Sequence, residues 1–412
     1  MTTTTASLAV AQRSLGDPEI RYPLWPPLTR GCPQSSSDTM TYPVEVDYDY
    51  ARVPDGFLTA PGPRGTGLDR WAPLLPPLAA PGLGEGGTPL VEIGSGVYVK
   101  DESRNPTWSH KDRLNRCGVG AAVAVGAPGI VVASSGNHGA SAAAYAARAG
   151  LRCVVLTSTG LPPAVGSFLT AYGAVVLPVP VDERWPLTER IAEEFGFHPV
   201  SNLTRFHTGH AFGPEGYKTV AYEIAAELGV PRAVFVPTGY GELLFGVWKG
   251  FDELHRLGLT DRVPRLFACE PAAGGPLTAA LRADVPATRV EVGGTDAYGI
   301  DCRVNSYRGV LAVRNSNGRA LRVDDTAMRR AQAELAGQGM WVELSAAASL
   351  AGLRTLPDLA EDEEVEGLDG PVVCITTSSG FKDARTGTDG PAPADPSWDA
   401  VKAVLRTAGI GS

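Results

Sequence analysis

No run of eighteen consecutive apolar residues occurs in the sequence, and no basic stretch precedes the short apolar segment near its start. Neither a membrane span nor a secretory leader is therefore expected. The six cysteines, Cys32, Cys117, Cys153, Cys269, Cys302 and Cys374, stand singly with no C-x-x-C pair. That excludes the common zinc spacings and a vicinal redox couple, so no metal is expected, and a reduced cytoplasm is the expected setting. Positive charge is the minority, with 36 Lys and Arg against 45 Asp and Glu. The basic face that nucleic acid demands is missing.

Glycine and proline are abundant instead, at 49 and 34 of 412 residues, about a fifth where average usage gives about 12%. Such a chain needs many turns and close backbone passages. Its length suits two to three domains with a sizeable core.

Residues 1–88 are rich in Pro and Gly, carry the acidic-aromatic patch Val44–Tyr50 and show no sustained helical period. They read as an extended arm or small appended layer. From Val97 onward, short β-branched runs meet Gly/Ser loops and then Ala-rich helical segments, the signature of a largely parallel sheet flanked by helices. Strands are expected at Val97–Lys100, Gly129–Ser134, Ala233–Pro237 and Val372–Thr377, with further candidates at Arg152–Ser158 and Ala174–Val179. Helices are expected over Ala140–Gly150 and Lys218–Gly229, each ending on glycine. After Asp383 a linker should lead to a terminal helix over Ser397–Gly409, capped by Ser397 or Asp399.

Ligands of open α/β sheets sit where strands end and helices begin, because loop amides and the positive end of the helix dipole point there. Three such loops stand out. Ser134–Gly139, SSGNHG, suits a carboxylate or phenolate oxygen, with Asn137 projecting an amide. Pro237–Gly246, PTGYGELLFG, has Gly239 and Gly241 placed to let amides approach a phosphate. It matches neither G-x-G-x-x-G nor G-x-x-x-x-G-K-[ST], which disfavours a nicotinamide or ATP site. In Lys100–Arg113, KDESRNPTWSHKDR, Ser109 is expected to cap a helix and put Lys111 in its first turn. There the charged amine is disfavoured and the nucleophilic fraction rises.

The order EGGTPL (Glu85–Leu90), VKDESRNPTWSHKDR, SSGNHG, EGYKTVAYEI (Glu215–Ile224), VPTGYGE, ELSAAASLAGL (Glu343–Leu353) and TTSSGFKD (Thr376–Asp383) resembles the threonine synthase branch of the tryptophan-synthase-β-like, fold-type II pyridoxal-phosphate (PLP) enzymes. The resemblance spans roughly residues 42–385. It implies an α/β fold of two open, twisted, mostly parallel sheets flanked by helices: an N-terminal extension (1–88), a domain with the lysine and substrate loop (89–212), a domain with the phosphate loop (213–385), and a linker with terminal helix (386–412). It implies pyridoxal 5′-phosphate as cofactor, an amino acid as substrate and, as is common in the family, a homodimer.

By the same resemblance, Lys111 forms the Schiff base with the cofactor and moves the substrate Cα proton. Asn137 would bond the cofactor's ring oxygen, and the stretch Thr238, Gly239, Tyr240, Gly241, Glu242 and Leu243 would cradle its phosphate. Thr377 would face the pyridine nitrogen with a hydroxyl, which makes the ring a weaker electron sink than a carboxylate partner would. Ser134, Ser135 and His138 fall where the family binds the substrate carboxylate, and Lys218 and Thr219 are expected to be structural.

Departures from the family pattern are specific. Trp108 and His110 replace a Gly and a Phe beside the lysine, and both are expected at the pocket wall, although His110 also reads as a packed core residue. His138 replaces a Thr, and G-Y-G-E replaces a G-N-G-G-like loop. Gly213 stands where threonine synthases carry an Arg that meets the phosphate of O-phosphohomoserine, a lost bidentate clamp.

The leading expectation is thus β- or γ-elimination or replacement on an amino acid, O-phosphorylated or O-acylated, other than O-phosphohomoserine. The runner-up is threonine synthase itself, with Arg104, Arg205 or Lys382 supplying the missing cation. A catalytically silent PLP-binding protein is the reading from another class.

Overall fold

The computed structural model describes residues 6–59, 67–161, 163–356, 369–383 and 395–410. Strands β1 (Ala9–Ser14), β2 (Arg21–Pro23) and β3 (Val44–Tyr48) form a small antiparallel sheet with β1 in the middle. The hairpin β4 (Leu90–Gly94)–β5 (Val97–Asp101) follows. Next come α1 (Lys111–Ala124), β6 (Gly129–Ala133), α2 (Asn137–Arg148), β7 (Arg152–Thr157), α3 (Pro163–Ala171), β8 (Val175–Pro178), α4 (Arg184–Phe195) and the short β9 (His198–Pro199). The second half runs α5 (Lys218–Leu228), β10 (Ala233–Pro237), α6 (Glu242–Arg256), β11 (Arg265–Pro271), α7 (Pro276–Arg282), α8 (Tyr307–Asn315), β12 (Arg319–Val323), α9 (Asp325–Gly337), α10 (Ala348–Thr355), β13 (Val372–Thr376) and α11 (Trp398–Thr407).

Two larger sheets carry the helices. One is parallel with order β8-β7-β6-β9; the other has order β12-β11-β10-β13-β5-β4 and is parallel except for the β4–β5 edge. Every residue of β10 and β13 is buried, as expected of strands covered on both faces. All six expected strands are present. The boundary expected at 212/213, however, does not follow the sheets. Val99 lies opposite Cys374, so β4 and β5 belong with the C-terminal strands. The arm before residue 89 is likewise integral: Val44, Val46 and Tyr48 are buried in one cluster with Val220, Tyr222 and Phe245 of α5 and α6.

Two helix-start expectations fail. Helix α1 begins at Lys111 without a side-chain cap, because Ser109 pairs through its backbone with Ser378 and its hydroxyl is buried without a partner among the described residues. Helix α11 has Ser397 at its N-cap but no capping side-chain bond, and the carboxylate of Asp399 pairs with Lys402 instead (2.8 Å). The linker expected after Asp383 lies largely outside the described residues.

The start of α1 is fixed by buried polar groups. Fully buried Arg113 binds Glu102 just past β5 (Nε–Oε2 2.7 Å) and Glu223 on α5 (Nη1–Oε1 2.6 Å), and it also donates to Thr219 (2.7 Å). Lys100 completes the cluster at Glu223 (2.8 Å), whose carboxyl is held far below its usual range, against burial, mainly by Arg113 and then Lys100. Lys218 likewise binds Glu215 (2.8 Å) and Glu253 (2.9 Å), a structural role as expected. Arg113→Met leaves two buried carboxylates short of their partner and should lower unfolding free energy by about 3–5 kcal/mol. Chemical denaturation checks this, and a loss below about 1 kcal/mol would contradict it.

Candidate active site

A cavity of about 1140 Å³ opens where the C-terminal ends of β6, β10 and β13 meet the starts of α1, α2 and α6. Lys111, Ser134, Ser135, Asn137, His138, His110, Gly239–Leu243 and Thr377 all line it, as does Thr238. Segments far apart in sequence thus converge on one space.

Lys111 is the first residue of α1, and its two successors are turned inward. Asp112 accepts from Thr107 N (2.7 Å), Thr107 Oγ1 (2.5 Å) and Ser141 Oγ (2.6 Å), while Arg113 is held as described above. Lys111 alone faces the cavity, where Nζ donates to Tyr217 Oη (3.1 Å). Burial pushes its pKa below the ordinary value, with Glu242 pulling the other way. The amine's neutral, nucleophilic fraction is therefore raised. Burial also drives the Tyr217 phenol far above its usual range, so it stays protonated.

Facing the lysine is the start of α6. Gly241 sits in the left-handed region at φ 95°, and no side chain caps the helix. A Cβ at Gly239 would come within 2.8 Å of Cys302 Sγ, and one at Gly241 within 2.9 Å of Gly309 Cα. Only glycines allow this loop, and it leaves first-turn N–H groups for an anion. Thr238 contributes less than the resemblance implies, because its N–H already donates to Cys269 O (2.8 Å) and its hydroxyl to Val236 O (2.8 Å). The acid in the loop, Glu242, is offset by buried Arg308 (3.5 Å); burial raises its pKa, against Arg308 and Lys111.

Asn137 starts α2. Its Nδ2 donates to Glu343 Oε2 (2.8 Å) and its Oδ1 accepts from Ser378 Oγ (3.1 Å), which fixes the amide and leaves one N–H for a ligand oxygen. Thr377 gives its carbonyl to His110 N and Nδ1 (both 3.0 Å), while its hydroxyl has no hydrogen-bond partner among the described residues. An uncapped helix start with close-approach glycines, a free hydroxyl, an oriented amide and a desolvated amine together fit a phosphorylated aldehyde cofactor.

The remaining expected contacts divide. Ser134 and Ser135 edge the cavity; Ser134 Oγ accepts from Gly136 N (3.2 Å) and Ser135 Oγ from Ser158 N (2.6 Å). The His138 ring is committed to Val200 O (Nε2, 3.0 Å) and Asn115 Nδ2 (Nδ1, 3.2 Å), and burial pushes its pKa down to about 3. The His110 ring stacks on Tyr217 at 5.4 Å. Trp108 lies outside the lining: at φ 59° its indole turns away, packs on Phe168 at 5.3 Å and is 46% exposed. Arg104, paired with Asp101 (3.6 Å), and Lys382, buried and donating to Thr107 O (2.6 Å), also stand off the cavity. Arg205 lines it.

Sequence reasoning missed Tyr217, Glu343, Arg184, His207 and His210. Tyr217 and Glu343 lie inside motifs quoted above, EGYKT and ELSAAAS; the others had no signal beyond residue type. His207 stacks on the Tyr240 ring at 3.9 Å. His210 Nδ1 accepts from Phe212 N (3.0 Å) and Gly213 N (3.1 Å), so its Nε2–H donates to His198 Nε2 (2.7 Å). Among the described residues no group of three or more His, Cys, Asp or Glu is arranged for a metal. No helix among them is long and apolar enough to cross a membrane.

The buried histidines dictate an acid response. Burial lowers His198 to about 4, whereas the unfolded residue titrates near about 6.5. Above that value both states are neutral; below it the unfolded chain takes up a proton that the folded chain refuses. Stability should fall as pH drops from 7 toward 4, by about 1.4 kcal/mol per unit for His198. His198→Gln, whose carboxamide oxygen can accept the same bond, should flatten that slope in denaturant titrations at stepped pH, and an unchanged slope would contradict the assignment.

Residues 82–378 match the family model described as "Pyridoxal-phosphate dependent enzyme". The threonine synthase of Methanosarcina acetivorans is 34% identical over 358 residues, covering 82% of this chain and 86% of that protein. The threonine synthase of Mycobacterium tuberculosis H37Rv is 33% identical over 349 residues, covering 80% and 90%. In fold, maize serine racemase superposes with a TM-score of 0.62 at 20% identity, over 78% of this chain and 93% of that one. The chain belongs to the pyridoxal-phosphate-dependent enzymes, in their fold-type II, threonine synthase-like branch, and its chemistry is of the elimination or replacement class.

Proposed function

We propose that the enzyme eliminates or replaces a β- or γ-substituent on an O-substituted amino acid other than O-phosphohomoserine, with Lys111 as the catalytic base. The observation that carries this is the Lys111 amine, desolvated, bonded to Tyr217 (3.1 Å) and facing an uncapped helix start across the cavity. When bound, pyridoxal phosphate supplies an electron sink for the electrons released at the substrate Cα. Lys111 Nζ accepts the Cα proton, and Tyr217 keeps Nζ in place. The amides from Gly239 to Leu243 would hold the phosphate, Asn137 would hold the ring oxygen, and the Thr377 hydroxyl would meet the ring nitrogen without keeping it protonated. Ser134, Ser135 and the start of α2 hold the substrate carboxylate.

Space at Gly213 supports a substrate other than O-phosphohomoserine. A Cβ there would lie 3.0 Å from Leu114 Cγ, so a larger side chain would enter only if Leu114 gave way, and Gly213 is not among the residues that line the cavity. The competing reading, threonine synthase, is favoured by the relatives' identity and by Arg205 at the cavity. The purified holoenzyme should release phosphate from O-phospho-L-homoserine at a kcat/KM about a hundredfold or more below that for the best O-substituted serine or homoserine in a panel. Threonine and phosphate formed from it as efficiently as any product of the panel would establish the competing reading.

A further inference from the structure

We propose that Arg184 is the specificity-determining residue by which the enzyme recognises an oxyanion, a phosphate ester in the first instance, at the end of the substrate's side chain. This rests on the amino-acid elimination or replacement reading above and names where that substrate's charge is read.

Arg184 opens α4 and lines the cavity. Its guanidinium reaches Ser135 Oγ and Val181 O, each at 3.4 Å, two long contacts that leave most of its five donors free. The acids of its own stretch that line the cavity are already engaged: Asp182 by Arg303 (3.6 Å) and Glu189 by Arg30 (2.8 Å). No carboxylate among the described residues lies within ion-pair distance of Arg184. A partly covered guanidinium with no counter-ion, in contact with the loop assigned to the substrate, is a fork shaped for a bidentate oxyanion.

Arg184 borders the two anion positions already assigned but belongs to neither helix start, since it opens α4. The start of α2 and its loop serve the α-carboxylate, and the start of α6 serves the cofactor phosphate. Ser135, which Arg184 touches, is anchored on the far side by Ser158 N (2.6 Å). In the other direction the positive charge of Arg184 is felt at the Tyr240 phenol in the phosphate loop, and the neighbouring Trp185 ring lies 6.3 Å from both Tyr240 and His207. Arg184 therefore borders both loops at the cavity, a third position there for an anion.

The test titrates wild-type, Arg184→Gln and Arg184→Lys holoenzymes with O-phospho-L-serine, O-phospho-L-homoserine, L-serine and O-acetyl-L-serine, following the absorbance of the bound cofactor. Arg184→Gln should weaken binding of the phosphorylated amino acids by about tenfold or more and that of the neutral pair by less than about twofold, with Arg184→Lys in between. Equal weakening of all four would place Arg184 on the shared α-carboxylate and overturn the proposal. So would phospho-amino-acid binding unchanged in Arg184→Gln, or wild type that responds to the neutral pair alone. A wild-type cofactor spectrum indifferent to every amino acid would overturn the reaction assignment itself, and the role of Arg184 with it.

Discussion

The buried guanidinium of Arg113 is the interaction on which the site depends. It ties the chain after β5 to α5 through Glu102 and Glu223, and so fixes the first turn of α1 between two sheets that share no strand. Asp112 adds a second tie, to Thr107 and to Ser141 on α2. The run K-D-R thus divides its work: the acid and the arginine are saturated inside the protein, and that geometry presents the lysine to the cavity. A buried charge with every partner in place rigidifies its surroundings, whereas the same charge with one partner removed destabilises them strongly.

The cavity then sets a desolvated amine against unpaired amides. Desolvation disfavours the ammonium form of Lys111, and the glycines of the α6 loop keep side chains out of the anion position. Glu242 sits awkwardly in such a place, its Oε1 buried without a hydrogen-bond partner among the described residues and only partly offset by Arg308 at 3.5 Å. That arginine also donates to the carbonyls of Thr208 and Val44 (2.5 Å to Val44), so the N-terminal layer buttresses the phosphate loop. The segment before residue 89 is therefore part of the support of the site.

Much of this was legible in the sequence because local rules carry it. Apolar β-branched runs ending in glycine loops located β5, β6, β10 and β13, and position after a strand singled out Lys111, Asn137, Gly239 and Gly241. What was not legible depends on distant pairing. The hairpin at Leu90–Asp101 joins the C-terminal strands because Val97 to Asp101 register on β13, which no local pattern encodes. The cap expected from Ser109 was lost to a bridge with Ser378. Trp108 read as pocket wall because it neighbours the lysine, yet its positive φ sends the indole to Phe168. Glu343, Arg184 and the histidines meet the cavity only through tertiary folding.

The most direct measurement is reduction of the holoenzyme with sodium borohydride followed by peptide mass mapping. The account predicts a phosphopyridoxyl group on Lys111, and no such adduct in Lys111→Ala that still holds the cofactor non-covalently. An adduct on another lysine, such as buried Lys382, or a wild-type protein that traps none would contradict it.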